Sequence, residues 1–94
     1  MLILEQSDRF KEELEIIVNF IALDSVNRAL EFFDNIIAKI NNIPDNPYIY
    51  RKRISTNDEN IRELIFKGYT VPFYIDKTDN KIIILGIFNQ NLWE

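Results

Sequence analysis

Residues 61–88, IRELIFKGYTVPFYIDKTDNKIIILGIF, carry the strongest secondary-structure signal in this chain. They form three runs rich in aliphatic and aromatic residues, separated by Lys67-Gly68 and by the polar residues 77–80. Short apolar runs divided by such turn-forming residues are typical of consecutive antiparallel hairpins. The pattern therefore predicts a β-meander of three strands.

The last two runs also indicate where their strands lie in the sheet. Residues 82–88 are apolar on both alternating faces, so this strand is expected to be central and covered on both sides. The middle run contains Pro72, which has no N–H to donate to a neighbouring strand. Its nitrogen is therefore expected to face an edge, a bulge or solvent.

A strand and a helix are predicted before the meander. Residues 1–5 are mostly apolar and predict a first strand, which is expected to pair within the same sheet. Ser7 or Asp8 is expected to cap the helix that follows. Apolar residues then recur at helical spacing, which predicts one amphipathic helix to about Ala22.

A second helix is predicted after a new cap at Asp24-Ser25, and Asn41-Asn42 should end it. Two helices joined by about three residues must form an antiparallel hairpin. The predicted order is β-α-α-β-β-β, an α+β fold with the helical hairpin on one face of a mostly antiparallel sheet. Its length predicts one domain, residues 1–94.

The composition excludes several kinds of chemistry. Cysteine and histidine are both absent, which removes disulfides, thiolate nucleophiles, the usual zinc sites and imidazole catalysis. We therefore expect no metal and no cofactor. The sequence has no apolar run long enough to cross a membrane and no signal-peptide pattern at its start, so a cytoplasmic protein with no membrane partner is expected.

Charge is unevenly distributed along the chain. Residues 1–47 contain 4 basic and 9 acidic residues, whereas residues 48–94 contain 7 and 6, and the chain carries −4 in total. This charge disfavours nucleic acid as a partner, and no sequence-specific DNA binding is expected. The basic triplet Arg51-Lys52-Arg53 is either a contact surface or a solvated loop or irregular edge strand.

The whole pattern resembles the RelE/ParE superfamily of toxins from bacterial and archaeal type II toxin-antitoxin modules. The resemblance covers nearly the whole chain, and the order and spacing of its short motifs make it specific. These motifs are Phe20-Ile21-Ala22-Leu23-Asp24-Ser25, Ala29, Phe32-Phe33, residues 40–44, Arg62-Glu63-Leu64, Gly68-Tyr69, Tyr74-Ile75-Asp76 and residues 82–88. The resemblance implies a cognate antitoxin as partner.

One branch of this superfamily cleaves messenger RNA on the ribosome, using basic residues and a Tyr or His on the concave sheet face without metal. This sequence departs from that set. Ile61 and Glu63 lie near the positions of the family's catalytic lysines, Thr70 replaces the arginine expected after the Gly-Tyr pair, and residues 89–91 are Asn-Gln-Asn. Because each lost cationic contact costs about 10²-fold in rate, little RNA cleavage is expected.

Three residues remain as weak catalytic candidates. Arg62 is either a cation at the sheet face or a structural partner of Glu59 or Glu63. Tyr69 and Tyr74 are either acid/base groups or half-buried strand aromatics. The sequence leaves these alternatives open.

The ParE-like branch resembles proteins that poison DNA gyrase by protein contact, and it lacks the ribonuclease residues. An acidic chain with an eroded ribonuclease site fits this branch better, by family analogy. The alternative is a weakened, ribosome-dependent messenger RNA endonuclease that uses Arg51, Lys52, Arg53 and Arg62. A third possibility is a degenerate toxin that now only binds.

Two surfaces are predicted to bind partners. A two-helix layer on one small sheet is not expected to bury every residue at the flanks of the apolar helix stripes, and the exposed remainder is expected to bind the antitoxin. The basic triplet and the C-terminal tail are expected to contact a protein target, although Trp93 is at least as readily a cap on the sheet edge. The predicted partner-binding residues are Phe20, Leu23, Leu30 and Phe32 for the antitoxin, and Arg51, Lys52, Arg53 and Trp93 for the target.

Overall fold

A computed structural model describes residues 2–89 of the chain, and these residues form two helices and six strands. Two single 3-10 turns, Ile43–Asp45 and Pro47–Ile49, connect the second helix to the second strand. The elements in chain order are β1 (Ile3–Gln6), α1 (Asp8–Asp24), α2 (Val26–Asn41), β2 (Arg51–Lys52), β3 (Ile61–Phe66), β4 (Tyr69–Asp76), β5 (Lys81–Ile84) and β6 (Phe88–Asn89).

The strands form one sheet in the order β1-β5-β4-β3-β2, and β6 pairs with β4 beyond the end of β5. The β1–β5 pair is parallel and the other pairs are antiparallel. Lys67 and Gly68 both have positive φ, 49° and 83°, as a two-residue hairpin turn between β3 and β4 requires. The meander and the α+β class predicted from the sequence are confirmed, and β2 and β6 are added as two-residue strands.

Serine hydroxyls begin both helices. Phe10 N donates to Ser7 Oγ over 3.1 Å, and Arg28 N donates to Ser25 Oγ over 3.2 Å. α1 runs to Asp24, two residues beyond the predicted end, so Ser25 alone separates the helices. The hairpin is therefore tighter than the predicted connection of about three residues.

The helices cover one face of the sheet, and the core lies between them. Val71, Phe73 and Ile75 of β4 face the helices, so the alternate side chains of β4 lie on the other face, which we call the open face. The buried core residues are Phe10, Leu14, Phe32, Ile36, Ile40, Ile43, Leu64, Val71, Phe73, Ile75, Ile82, Ile84 and Ile87.

The prediction that residues 82–88 form one strand covered on both faces is wrong. Ile82 and Ile84 are buried against the helices, whereas Ile83 and Leu85 lie on the open face and are half-buried. The strand also ends at Ile84.

The break between β5 and β6 lies beside Pro72, whose carbonyl accepts a hydrogen bond from Leu85 N over 2.9 Å. The Pro72 nitrogen points to the same side, where the regular ladder is interrupted, as its missing N–H requires. Glu13 of α1 reaches this break, and its Oε1 accepts from Ile87 N over 3.0 Å. A Cβ on Gly86 would lie 2.6 Å from that oxygen, so glycine permits the close approach.

Candidate functional site

A buried carboxylate holds two arginines on the open face. The Glu63 side chain is 5% exposed, and it accepts from Arg51 Nε over 2.6 Å and from Arg53 Nη1 over 2.8 Å. The β2–β3 register places Arg51 opposite Glu63, and Arg53 follows two residues later on the same face. The single negative charge of Glu63 therefore has two positively charged partners within the chain.

Next to this cluster lies a shallow pocket of about 270 Å³. The Arg53 guanidinium stacks over the ring of Phe88 with 5.2 Å to its centroid. Thr70 lies opposite Phe88 and is buried. We call the segment Arg51, Lys52, Arg53 and Ile54 the basic edge. The pocket is lined by Arg51, Arg53, Ile54, Ser55, Glu63, Thr70 and Phe88.

This arrangement differs from what phosphodiester cleavage requires. Metal-free cleavage needs several cations around one phosphate, together with groups that move protons. Here a carboxylate occupies the centre of the cluster, and both nearby guanidinium groups are paired with it. The basic triplet is thus a short edge strand followed by a loop, with two of its three cations in ion pairs.

Arg62 is an anchor between segments. Its Nε donates to the backbone oxygen of Glu59 over 2.8 Å, and its Nη1 donates to that of Tyr50 over 3.1 Å. The guanidinium also lies 5.1 Å from the ring centroid of Tyr48. It forms no ion pair with the Glu59 or Glu63 side chain, so the alternative of a side-chain pair with either residue is wrong, and Arg62 instead joins backbone segments through their carbonyls.

Tyr69 and Tyr74 lie on opposite faces of β4. The Tyr69 ring packs edge-on against Phe32 on the helix side, with centroids 5.4 Å apart. Tyr74 lies on the open face, paired with Ile61 and Ile83 on the neighbouring strands. Both side chains are half-buried. The structure therefore does not bring the two tyrosines together at one site.

The outer surface of the helical hairpin exposes large apolar side chains. Leu23 is 86% exposed, Phe20 71% and Leu30 58%, as predicted for these three residues. Sequence reasoning missed others, which the spacing i, i+4, i+7 along each helix would have found. We call the full set the hairpin surface: Ile16, Phe20 and Leu23 on α1, and Val26, Leu30 and Phe33 on α2.

Phe32, the fourth residue predicted to bind the antitoxin, does not belong to the exposed remainder. Phe32 is 7% exposed, and its ring packs against Phe66 and Tyr69 with centroids 5.8 and 5.4 Å apart. It lies on the inward stripe of α2 with Ala29 and Ile36. Its neighbour Phe33, one position along the helix, is the residue that reaches the surface.

Apolar grooves lie along both sides of α1. The interhelical groove has a volume of about 490 Å³ and includes Leu14, Val18, Phe33 and Ile37. The second groove, of about 500 Å³, runs between α1 and β6. It is lined by Glu13, Ile16, Ile17, Phe20, Tyr69, Ile87, Phe88 and Asn89. Both grooves are large enough to receive side chains of another protein.

Trp93, a predicted target contact, lies outside the described residues. Between residues 2 and 89, no group of three or more carboxylates is arranged to hold a metal ion. No helix in the same range is long and apolar enough to span a membrane.

The chain is similar in sequence and in fold to toxins of known toxin-antitoxin systems. The family model described as "ParE toxin of type II toxin-antitoxin system, parDE" matches residues 4–91. A solved structure titled "Chromosomal ParDE TA system from P. aeruginosa" is similar, with a TM-score of 0.77 and 18% sequence identity over 95% of this chain and 96% of that chain. No curated protein sequence matches. Since the solved structure supports the fold and the family model spans nearly the entire chain, this protein belongs to the ParE toxin family of type II toxin-antitoxin systems.

Proposed function

We propose that this toxin inhibits growth by binding a protein target, and that a cognate antitoxin silences it by covering the hairpin surface. The observation that carries the antitoxin site is the exposure of Phe20, Leu23 and Leu30. Contiguous exposed apolar residues of this size mark interaction surfaces on soluble proteins. Covering one such side chain fully is worth about 1.5–3 kcal/mol, so a few anchors supply much of a stable interface.

Charge indicates what the antitoxin segment carries. Residues 1–47, which include both helices, have 4 basic and 9 acidic residues. A complementary segment therefore places Lys or Arg beside its apolar anchors. An amphipathic helix laid over the hairpin surface is the simplest way to present both.

A protein target is favoured over messenger RNA by the chemistry of the open face. Arg51 and Arg53 neutralise Glu63, and Thr70 is a buried residue where the ribonucleases of the superfamily have a cation. Losing one preorganised contact to a transition state costs about 10²–10³-fold in rate. By family analogy the target is DNA gyrase, which places the action in the cytoplasm.

The target class is tested by inducing the toxin alone in growing cells. We expect DNA replication to stop before translation, and purified gyrase to lose supercoiling activity when the toxin is added. Primer extension on messenger RNA from the same cells should show no new codon-aligned ends. Reproducible cuts in translated messages would instead establish a ribosome-dependent endonuclease.

The antitoxin site has a separate test. Co-expression with the product of the neighbouring gene should restore growth and yield a stable complex. A toxin that remains a well-behaved monomer and captures no product of that gene would contradict this part of the proposal.

A further inference from the structure

The basic edge presents guanidinium groups that are fixed in place but still have hydrogen-bond donors to spare. Among the described residues, Arg51 donates to Glu63 through Nε and Arg53 donates through Nη1. A guanidinium carries five N–H donors, so most of them remain for another acceptor. Arg51 is about half exposed, so these donors can be reached from solvent.

Glu63 reduces the conformational entropy that Arg51 and Arg53 lose when a ligand binds to their free N–H donors. A free arginine side chain loses conformational entropy when a ligand immobilises it. Here the buried carboxylate has already restricted both arginines, and the Phe88 ring further confines Arg53. Glu63 is therefore a positioning residue for the two cations.

Apolar side chains flank the cations. Ile54 is 90% exposed directly after Arg53, and Ile49 is exposed two residues before Arg51. Lys52 is also exposed, and it forms no ion pair within residues 2–89. Arginine beside an apolar anchor is a common composition of protein-interface hot spots.

We propose that the basic edge binds an acidic segment of a protein, with a carboxylate held by Arg51 and Arg53 and an apolar side chain packed on Ile54. This inference rests on the proposed protein target and names the chemistry by which that target is recognised. Carboxylate accepts well from guanidinium forks, and the partner need supply only one acidic group beside one apolar group.

Charge favours an acidic protein over nucleic acid. Two arginines and one glutamate leave a single net positive charge in the cluster, which matches one carboxylate. A nucleic acid presents a row of phosphates and would meet a chain of net charge −4.

The direct test is an NMR titration of the isotope-labelled full chain with a short peptide of glutamates and leucines. We expect the Arg51 and Arg53 Nε–H signals and the Ile54 methyl signals to shift together. The same peptide with glutamine in place of glutamate should leave them unmoved. Shifts caused instead by single-stranded RNA of equal charge would assign the site to nucleic acid, and no shift with any probe would refute the proposal.

Paired variants connect binding to toxicity. Lys52→Glu and Ile54→Ser should each weaken peptide binding and growth inhibition roughly tenfold, which corresponds to about 1.4 kcal/mol. Lys39→Glu and Ile3→Ser change other exposed residues, away from the basic edge, and should retain both. If the wild type stops growth while all four variants remain as toxic, the inference fails but the protein target stands. RNA cuts from the wild type would overturn both.

Discussion

On the basic edge, two charged side chains are paired within the chain: Arg51 and Arg53 donate to the buried Glu63. On the hairpin surface, Phe20 and Leu23 extend into solvent and contribute little to the core. Substitutions of Arg51 or Arg53 should therefore change folding and binding together. Substitutions on the hairpin surface should change binding alone.

The largest effect on stability is expected from removing both arginines of the cluster. Arg51→Ala with Arg53→Ala leaves the Glu63 carboxylate buried without its partners, which should cost about 3 kcal/mol. Urea unfolding would measure this loss, and Lys52→Ala serves as the matched control with no ion pair to lose. Adding Glu63→Leu to the double variant should recover most of the stability, because the uncompensated charge is gone. A loss below about 0.5 kcal/mol, the size typical of surface changes, would show that the cluster behaves as a solvated surface pair.

An intermediate effect is expected from Arg62→Ala. The variant loses hydrogen bonds to the carbonyls of Glu59 and Tyr50 and the stacking on Tyr48, which together should cost about 1–2 kcal/mol. For a domain of this size, 1 kcal/mol corresponds to a shift of about 4–8 °C in Tm. An unchanged Tm with complete loss of toxicity would instead make Arg62 a functional cation.

The sequence predicted the features that depend on neighbouring residues. The serine caps at Ser7 and Ser25 and the turn at Lys67-Gly68 follow from local hydrogen bonding and backbone preference, and the structure has all of them. Together with the apolar periodicity they were sufficient for the α+β arrangement.

The features that the sequence did not predict depend on contacts between residues far apart in the chain, or on which of two adjacent helix residues faces the core. Glu63 meets Arg51 through the pairing of a two-residue strand, which is too short to show periodicity. The break at Gly86 depends on Glu13, which is 73 positions earlier in the chain. Phe32 and Phe33 are adjacent, so the helical pattern permitted either one to face the core.

The smallest effect on stability is expected on the hairpin surface, and it gives the sharpest test of the comparison. Phe20 is 71% exposed and Leu23 is 86% exposed, so replacing both with serine removes little buried area. The free energy of unfolding should change by no more than about 0.5 kcal/mol, as for surface substitutions in general. Unfolding in urea measures this change.

Binding should respond in the opposite way. If these two side chains enter an apolar site on the antitoxin, the Phe20→Ser, Leu23→Ser variant loses two anchors. Truncation of a hot-spot anchor at an interface costs about 2 kcal/mol or more. The variant should then fail to co-purify with the antitoxin and stay toxic when the antitoxin is co-expressed. Ile3→Ser, at another strongly exposed apolar position, should still bind it. A variant that unfolds would show that the hairpin surface serves the fold, whereas a folded variant that still binds the antitoxin would place the interface elsewhere.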